Sequence, residues 1–439
     1  MIKRPTIHRA VLLVPVTLSM ALSGWANGQS NPATESAETF MEQMQSGQLI
    51  CSLDTLTQIP EVWSLTPDRL DAAFSVPKGI KLEQQPYFQW MTTSRDRAVF
   101  MTQPFTNLRV DLKLFSELSS EEAVVDFLNG KINGITISLY NRGDSGEIST
   151  EEFQRRFKLC GRKISEFLQV RPVERKADPA QGFLSEGWIW NSPRGMAMME
   201  YNPEANHGKV EFLRLRMAPR DAKGPFAAAL QGHAVTAKLS ELPKNVKKAE
   251  NGDVYIQNIP MVDQGQKGYC VVATTQRLFE YYGIQADQHQ IAQSAGTTAQ
   301  SGTSSLAMIE VLRKIDYRFK TRFKILGMSD DEQLVEVDDR KLTVGRKIDE
   351  AKFAKSIHRY IDDGIPLLWT LTLGKYPEEP PTTKQANGSH MRMIIGYNDQ
   401  TGQLLFSDSW GAGHELKRIT VGNAYAATNG FFAMFPTAH

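Results

Sequence analysis

The chain of 439 residues is long enough for two domains, and its composition is that of an ordinary globular protein. Hydrophobic residues make up 41% and charged residues 23%, while 50 Lys and Arg against 49 Asp and Glu leave a formal charge of +1. Such a balance excludes a strongly basic surface, so neither nucleic acid nor an anionic membrane is predicted as a partner. The sequence has no internal repeat and no P-loop, HExxH or CxxC pattern, so we expect no cofactor and no metal.

The N-terminus has the pattern of a secretory signal peptide over residues 1–26. Basic residues precede an apolar stretch over residues 10–22, and a small-residue cleavage site follows at Ala26. The apolar stretch is too short for an ordinary membrane-spanning helix, and a retained anchor is the alternative. We therefore expect a secreted or periplasmic protein with no membrane association after the signal is removed.

Residues 27–217 are predicted to form a separate α+β domain of unknown role. Ser149 and Glu152 form a capping box, although the segment 141–152 also has a weak similarity to a calcium loop. No residue of this domain has a catalytic pattern, so it is interpreted as a pro-region, a substrate-binding module or a scaffold. Apolar runs and helical periodicity predict seven strands and two helices: strands over 87–92, 97–102, 108–115, 134–140, 186–191, 196–201 and 209–216, and helices over 120–129 and 150–168.

The three cysteines of the chain are Cys51, Cys160 and Cys270. An odd number in an oxidising compartment leaves one free thiol. The two cysteines of the N-terminal half either form a disulfide or are two separate buried thiols, and the sequence is compatible with both.

The segment 218–252 is rich in Ala, Lys, Pro and Gly and is predicted to be a linker. It is interpreted as a solvated connector, with cleavage at its basic residues during activation as the alternative. The remaining residues, 253–439, are then expected to form a second domain.

Cys270 is the strongest candidate for a reactive residue. A Gly-rich stretch that begins at Gln264 leads directly into a helical pattern over residues 270–282, so the thiol lies at a helix N-terminus. Unpaired backbone N–H groups and the positive end of the helix dipole favour the thiolate there, which is the nucleophilic form. A buried structural cysteine is the alternative, and the rest of the C-terminal half argues against it.

A base and a carboxylate are brought together by a predicted β-hairpin. The apolar runs 391–397 and 404–407 flank a turn-rich loop. If the hairpin is centred on Gln400, His390 and Asp408 become diagonal neighbours on one face, roughly 7 Å apart at the backbone. The side chains of these two residues are then within reach of each other. This argument does not place the thiol beside them.

Two neighbours of the carboxylate need a separate interpretation. His414 follows Asp408 in a Gly-rich loop and is the best rival base, but both the hairpin geometry and the local motif favour His390. Trp410 is expected to shield the His390–Asp408 pair from solvent, with ordinary core packing as the alternative.

These motifs resemble those of the papain-like cysteine peptidases. Gln264, six residues before Cys270, is similar to the Gln that helps to form their oxyanion hole, and His390 is similar to their base. Asp408-Ser-Trp-Gly is similar to their Asn-Ser-Trp-Gly, and the Asp is closer to the bacteriocin-processing (double-glycine leader) branch and its secreted bacterial relatives. The resemblance covers about residues 250–439. It implies a two-lobe fold with a helical lobe, a β lobe and a cleft between them.

The resemblance implies a secreted cysteine peptidase that acts on a peptide or protein substrate. Cys270 would be the nucleophile, His390 the proton carrier and Asp408 the residue that orients the imidazole. Gln264 would bind the oxyanion together with a backbone N–H. An acyltransferase or amidase with the same residues, or a catalytically idle binding protein of the same fold, are the alternatives.

Overall fold

The computed structural model of the protein describes most of the chain from residue 35 to residue 437, and the predicted signal peptide lies outside the described residues. The described part mixes helices with strands, and the strands form several sheets. No helix in this part of the chain is long and apolar enough to cross a membrane. The described residues are 35–82, 85–102, 108–177, 184–230, 236–264, 270–284, 286, 290–291, 309–310, 312–313, 316–328, 334–337, 340–343, 349–381 and 388–437.

The N-terminal half is organised around an eight-stranded antiparallel sheet. Its helices are α1 (Ala37–Ser46), α2 (Pro67–Ala73), α3 (Arg142–Ser145), α4 (Thr150–Leu168) and α5 (Pro225–Leu230). Its strands are β1 (Gln48–Ser52), β2 (Phe88–Trp90), β3 (Arg97–Met101), β4 (Arg109–Leu114), β5 (Leu118–Ser120), β6 (Glu122–Leu128), β7 (Lys131–Asn141), β8 (Val173–Arg175), β9 (Glu186–Ser192), β10 (Gly195–Tyr201) and β11 (Phe212–Ala218). The large sheet has the order β2-β3-β6-β7-β11-β10-β9-β8, and β1, β4 and β5 form a second sheet.

Helix α4 packs one face of this sheet and has the predicted bounds. The side chain of Ser149 accepts a hydrogen bond from the backbone N–H of Glu152 at 3.2 Å, which caps the helix as the sequence predicts. Phe153, Cys160 and Ile164 belong to its buried stripe and contribute to the core of this half. Full burial of a large apolar side chain such as Phe or Ile stabilises the fold by roughly 1.5–3 kcal/mol.

The segment 120–129 is a strand, so the helix predicted there is wrong. In β6 the buried residues Ala123, Val125 and Phe127 alternate with less buried ones, which is the period of two that a strand requires. Asn129-Gly130 then forms a two-residue turn to β7, with φ of 53° and 74° at the two positions. Asn and Gly tolerate this left-handed conformation, and the tight hairpin forces the preceding residues to be extended.

All three cysteines are free thiols. Cys51 in β1 and Cys160 in α4 are buried, whereas Cys270 is half-buried. Burial raises the pKa of both Cys51 and Cys160, so these two thiols are protonated and unreactive at neutral pH. The structure therefore shows two separate buried thiols in the N-terminal half.

The C-terminal half contains a second large sheet with helices packed against it. Its helices are α6 (Cys270–Tyr281), α7 (Glu350–Asp362) and α8 (Val421–Ala427). Its strands are β12 (Val246–Lys248), β13 (Asp253–Ile256), β14 (Thr321–Met328), β15 (Leu334–Val337), β16 (Arg340–Thr343), β17 (Leu367–Leu373), β18 (Gly388–Asn398), β19 (Gln403–Ser407), β20 (Lys417–Thr420) and β21 (Thr428–Pro436). The main path is β12-β13-β18-β17-β21-β14, with β19 paired to β18 and β20 paired to β19.

Helix α6 lies against strand β18, which positions the thiol relative to the hairpin. The hydroxyl of Thr274 donates a hydrogen bond to the carbonyl of Met391 at 3.3 Å. Val271 and Leu278 from the same helix are buried in the core of this half. The helix is therefore held by a packed face as well as by a hydrogen bond, and its first residue has a fixed place beside the sheet.

The predicted linker 218–252 contains regular structure, which differs from a solvated connector. Its first part forms α5, and its last part forms β12, which pairs with β13. Leu242 is buried in the core of the C-terminal half. Leu239 and Val246 also pack against this core, although the Lys-rich composition suggests an exposed stretch.

Candidate functional site

The hairpin of β18 and β19 has the predicted register at the end that carries the candidate site. Met393 pairs with Ser407, which is the pairing obtained by centring the hairpin on Gln400. Nearer the turn, Tyr397 pairs with Leu404, a shift of one residue. A bulge in β18 between these pairs absorbs the shift. The bulge restores the alignment that places the ends of the two strands side by side.

His390 and Asp408 meet at that end of the hairpin. The distance from His390 Nε2 to Asp408 Oδ1 is 2.7 Å, and the side chains are 4% and 0% exposed. The backbone N–H of Ser409 donates to the same carboxylate oxygen at 2.9 Å. Burial alone would raise the pKa of Asp408, but the charges of His390 and Arg392 hold it well below its usual range. Asp408 is therefore a carboxylate at neutral pH.

The thiol of Cys270 lies beside His390, close enough for the imidazole to act on the pKa of the thiol. Because the imidazole presents Nε2 to Asp408, Nδ1 is the ring nitrogen left for the thiol. Burial acts to raise the pKa of Cys270, but the hydrogen bond and the charge of His390 outweigh it, and the pKa lies below its usual value. Burial acts to lower the pKa of His390, but Asp408 raises it to about 9. The arrangement favours a thiolate–imidazolium pair at neutral pH.

Gln264 is fixed against the residue that follows Asp408. Its backbone N–H donates to the carbonyl of Ser409 at 3.0 Å, and the Ser409 hydroxyl donates to its side-chain oxygen at 2.9 Å. This second bond engages the amide oxygen and so orients the amide nitrogen as the remaining donor. The Gly-rich loop 265–269 between Gln264 and α6 lies outside the described residues.

A buried charge network behind Asp408 was missed by the sequence analysis. Arg392 Nε donates to Asp408 Oδ2 at 2.7 Å, and its two terminal nitrogens donate to the carboxylate of Glu378 at 2.5 and 3.0 Å. Lys417 also binds Glu378, and all four side chains are buried. An Arg within an apolar strand, two residues from His390 and so on the same face, is the signal that indicates such a partner.

A further buried cation ties helix α6, which begins at Cys270, to the hairpin. Arg277 of α6 donates from Nε to the carbonyl of Pro260 at 2.7 Å and from a terminal nitrogen to the carbonyl of Asp408 at 2.9 Å. Its other terminal nitrogen donates to the hydroxyl of Ser407. Burial lowers the pKa of Arg277 to about 10, which still leaves it charged at neutral pH. Helix α6 and the end of β19 are therefore joined directly.

Trp410 and His414 complete the surroundings of the imidazole. The ring of Trp410 lies 4.9 Å from that of His390 and 5.5 Å from that of His414, measured between centroids. The main-chain carbonyl of His414 accepts a hydrogen bond from the N–H of Asp408 at 2.9 Å. His390 is thus the histidine that contacts the thiol, whereas His414 supports Asp408 through its backbone. Among the described residues, no group of three or more His, Cys, Asp or Glu could hold a metal ion.

Comparison with known proteins bears on the C-terminal half of the chain. Residues 256–431 match the model of the Peptidase_C39 like family. This match supports a cysteine peptidase of the C39 type. The C39-like segment includes Gln264, Cys270, His390 and Asp408. No curated protein matches the chain.

Proposed function

We propose that the protein is a cysteine peptidase that hydrolyses peptide bonds. Cys270 is the nucleophile, His390 carries the proton, Asp408 orients the imidazole and Gln264 binds the oxyanion. The observation that supports this most is the arrangement of three side chains: a thiol at the first residue of a helix lies beside an imidazole, and the imidazole is hydrogen-bonded to a buried carboxylate. The C39-like match supports the same class of enzyme.

Acylation begins with the thiolate of Cys270. Its sulfur attacks the carbonyl carbon of the scissile peptide bond, and the electron pair of the C=O bond moves to the oxygen. The backbone N–H of Cys270 and the side-chain amide of Gln264 donate hydrogen bonds to that oxyanion. One such donor lowers the barrier by roughly 2.7–4 kcal/mol.

His390 then carries the proton in both halves of the reaction. As imidazolium it protonates the leaving amine, and the C–N bond breaks to give a thioester on Cys270. As neutral imidazole it takes a proton from the water that attacks the thioester. Release of the carboxylic acid product regenerates the thiolate and the imidazolium. Asp408 stabilises the imidazolium and keeps Nδ1 directed at the sulfur throughout.

The fold that we propose for this activity is papain-like. Helix α6 begins the helical lobe, β18 and β19 belong to the β lobe, and the cleft lies where Cys270 meets His390. We further propose that the protein is secreted or periplasmic after cleavage behind Ala26. N-terminal sequencing of the mature protein tests the second point, and a mature chain that begins at Met1 would contradict it.

Mass spectrometry of a peptide library incubated with the mature protein tests the reaction. In H₂¹⁸O, hydrolysis places one heavy oxygen in each new carboxyl group. With glycine amide added as an acceptor, acyl transfer instead yields adducts without the label. We expect labelled carboxyl products that disappear in the Cys270→Ala variant. Adducts as the main product would support an acyltransferase, and no Cys270-dependent product would refute the proposal.

A further inference from the structure

Arg97, in strand β3 of the N-terminal half, binds both halves of the chain. Its Nε donates to Asp126 Oδ1 in the neighbouring strand β6 at 2.6 Å. A terminal nitrogen donates to the carbonyl of Met261 and to Glu280 Oε2, both at 2.9 Å. The side chain of Arg97 is only 16% exposed. One largely buried cation of the N-terminal half therefore holds two separate segments of the C-terminal half.

Both of these segments lead to residues of the proposed active site. Met261 lies three residues before Gln264, and Glu280 lies on α6, ten residues after Cys270. The loop that joins Gln264 to Cys270 is flanked on both sides by segments that Arg97 contacts. The distance between the oxyanion donor and the nucleophile therefore depends on this arginine as well as on the C-terminal half itself.

Hydrogen bonds hold the segment 260–264 at its start, near its middle and at its end, and the middle one comes from the N-terminal half. Arg277 of α6 binds the carbonyl at its start, and Ser409 binds the backbone and side chain at its end. Arg97 binds the carbonyl between them. This contact adds a polar hold to the part of the segment that also packs against Met91 and Val99.

Further contacts bring the N-terminal half against the same region. Met91 and Val99 pack with Met261 in a small buried cluster. The backbone N–H of Thr93 donates to Glu415 Oε1 at 2.7 Å, on the loop that follows β19. A cavity of about 400 Å³ beside Arg97 is lined by residues of both halves, so apolar packing between them is incomplete there.

We propose that the N-terminal half is a permanent support of the active site and that Arg97 is a positioning residue. Arg97 fixes the segment that carries Gln264 relative to the helix that carries Cys270. The inference rests on the proposed function for the role of Gln264. It also separates the scaffold role of the N-terminal half from a pro-region role, because a pro-region is removed before the enzyme acts.

The Arg97→Gln variant of the full chain is the first test, with Arg95→Gln as the matched control. Arg95 is a neighbouring, half-buried arginine that pairs with Asp68 and Asp71 within the N-terminal half. We expect Arg97→Gln to lower kcat per titrated thiol by roughly 10- to 10²-fold, the cost of displacing a catalytic group by up to about 1 Å. The KM of Arg97→Gln should change by less than a factor of two, and so should the kcat of the control variant Arg95→Gln. Equal effects of the two variants would overturn the proposal.

A double-variant cycle shows whether Arg97 acts through Gln264. In the Gln264→Ala background, Arg97→Gln should cost less than a factor of two, because the donor that it positions is already absent. An unchanged factor in that background would refute the positioning role, since a general loss of structure does not depend on Gln264. If Arg97→Gln does not fold, Arg97→Lys keeps the charge but not the forked donors and should show the same pattern with smaller factors.

Two measurements do not depend on peptidase activity. Hydrogen exchange should rise in residues 258–264 of Arg97→Gln and stay unchanged in Arg95→Gln, and equal exchange in both would contradict the proposal. The mass of the protein alkylated at Cys270 should be that of a chain that keeps the N-terminal half. If only a shortened chain reacts, the pro-region role is correct. If both measurements give the expected results but the wild-type protein cleaves no peptide, only the proposed function is refuted.

Discussion

The Asp408→Asn substitution probes the buried network more sharply than any other single change at the site. Three donors converge on the carboxylate: His390 and the N–H of Ser409 on one oxygen, and Arg392 on the other. An amide has one acceptor oxygen and one donor nitrogen, so an Asn can serve only one side. If it serves His390, its NH₂ group faces the Nε–H of Arg392, and a fully buried guanidinium loses one of its two counter-charges.

The cost follows from that lost partner. Removing one member of a buried ion pair destabilises a protein by roughly 3–5 kcal/mol. Arg392 keeps the carboxylate of Glu378, so we expect about 3 kcal/mol for Asp408→Asn, at the lower end of that range. In activity Asp408→Asn should remain milder than Asp408→Ala, because the amide oxygen still orients His390. Both should lose kcat within the roughly 10²–10⁴-fold range of general acid–base catalysis.

The double variant Asp408→Asn/Arg392→Met is the matched control. It removes one negative and one positive charge and leaves Glu378 paired with Lys417. Urea unfolding followed by tryptophan fluorescence should show that it is more stable than Asp408→Asn alone, while Arg392→Met alone is as unstable as Asp408→Asn. The reasoning is wrong if Asp408→Asn is as stable as the wild type, or if adding Arg392→Met lowers its stability further.

Three other predictions concern the thiol, the oxyanion donor and the N-terminal core. The pKa of Cys270 is lowered and that of His390 is raised to about 9. The rate of iodoacetamide alkylation of Cys270 should therefore rise at a pH below roughly 8.5, where a free thiol ionises. A rate that rises only near that pH contradicts the ion pair. Gln264→Ala should lower kcat roughly 10²–10³-fold with a smaller effect on KM, and damage from Gln266→Ala instead would show that the donor is misassigned. Glu200 is buried among three arginines, where burial acts to raise its pKa but the arginines lower it to about 2. Its stabilisation is therefore complete above pH 4.5 and lost as the pH falls towards 2, and Glu200→Gln should cost roughly 3–5 kcal/mol at neutral pH, which urea unfolding at pH 7 and pH 3 can check.

The part of the site that the sequence could predict is the part set by local geometry. A turn between two apolar runs fixes the hairpin register, and the register brings His390 and Asp408 together without any knowledge of the rest of the fold. The position of Cys270 beside them depends on how α6 packs against β18, which involves residues more than a hundred positions apart. No local pattern encodes such a distance, and only the family resemblance indicated it.

The errors have the same physical origin. The segment that forms β6 contains residues that suit a helix as well as a strand, and the tight turn at Asn129-Gly130 decides between them. Arg392 carried a readable signal as a charge in an apolar strand. Arg97 carried none, because its partners Met261 and Glu280 lie far away in the sequence and in the other half of the chain. Contacts of this kind become visible only when the two halves are placed together.

The residues just before the C39-like segment are part of the sheet and core of the C-terminal half. Strand β12 covers the outer edge of β13, and the N–H of Ala237 donates to the carbonyl of Tyr282 at 2.8 Å. Gly364 approaches Leu242 so closely that an added Cβ would lie 2.2 Å from its carbonyl oxygen. A fragment that begins at residue 256 would expose an unpaired sheet edge and lack Leu242 in its core. We expect such a fragment to aggregate. The match to the family model begins at residue 256, whereas contacts with the C-terminal core begin as early as Ala237.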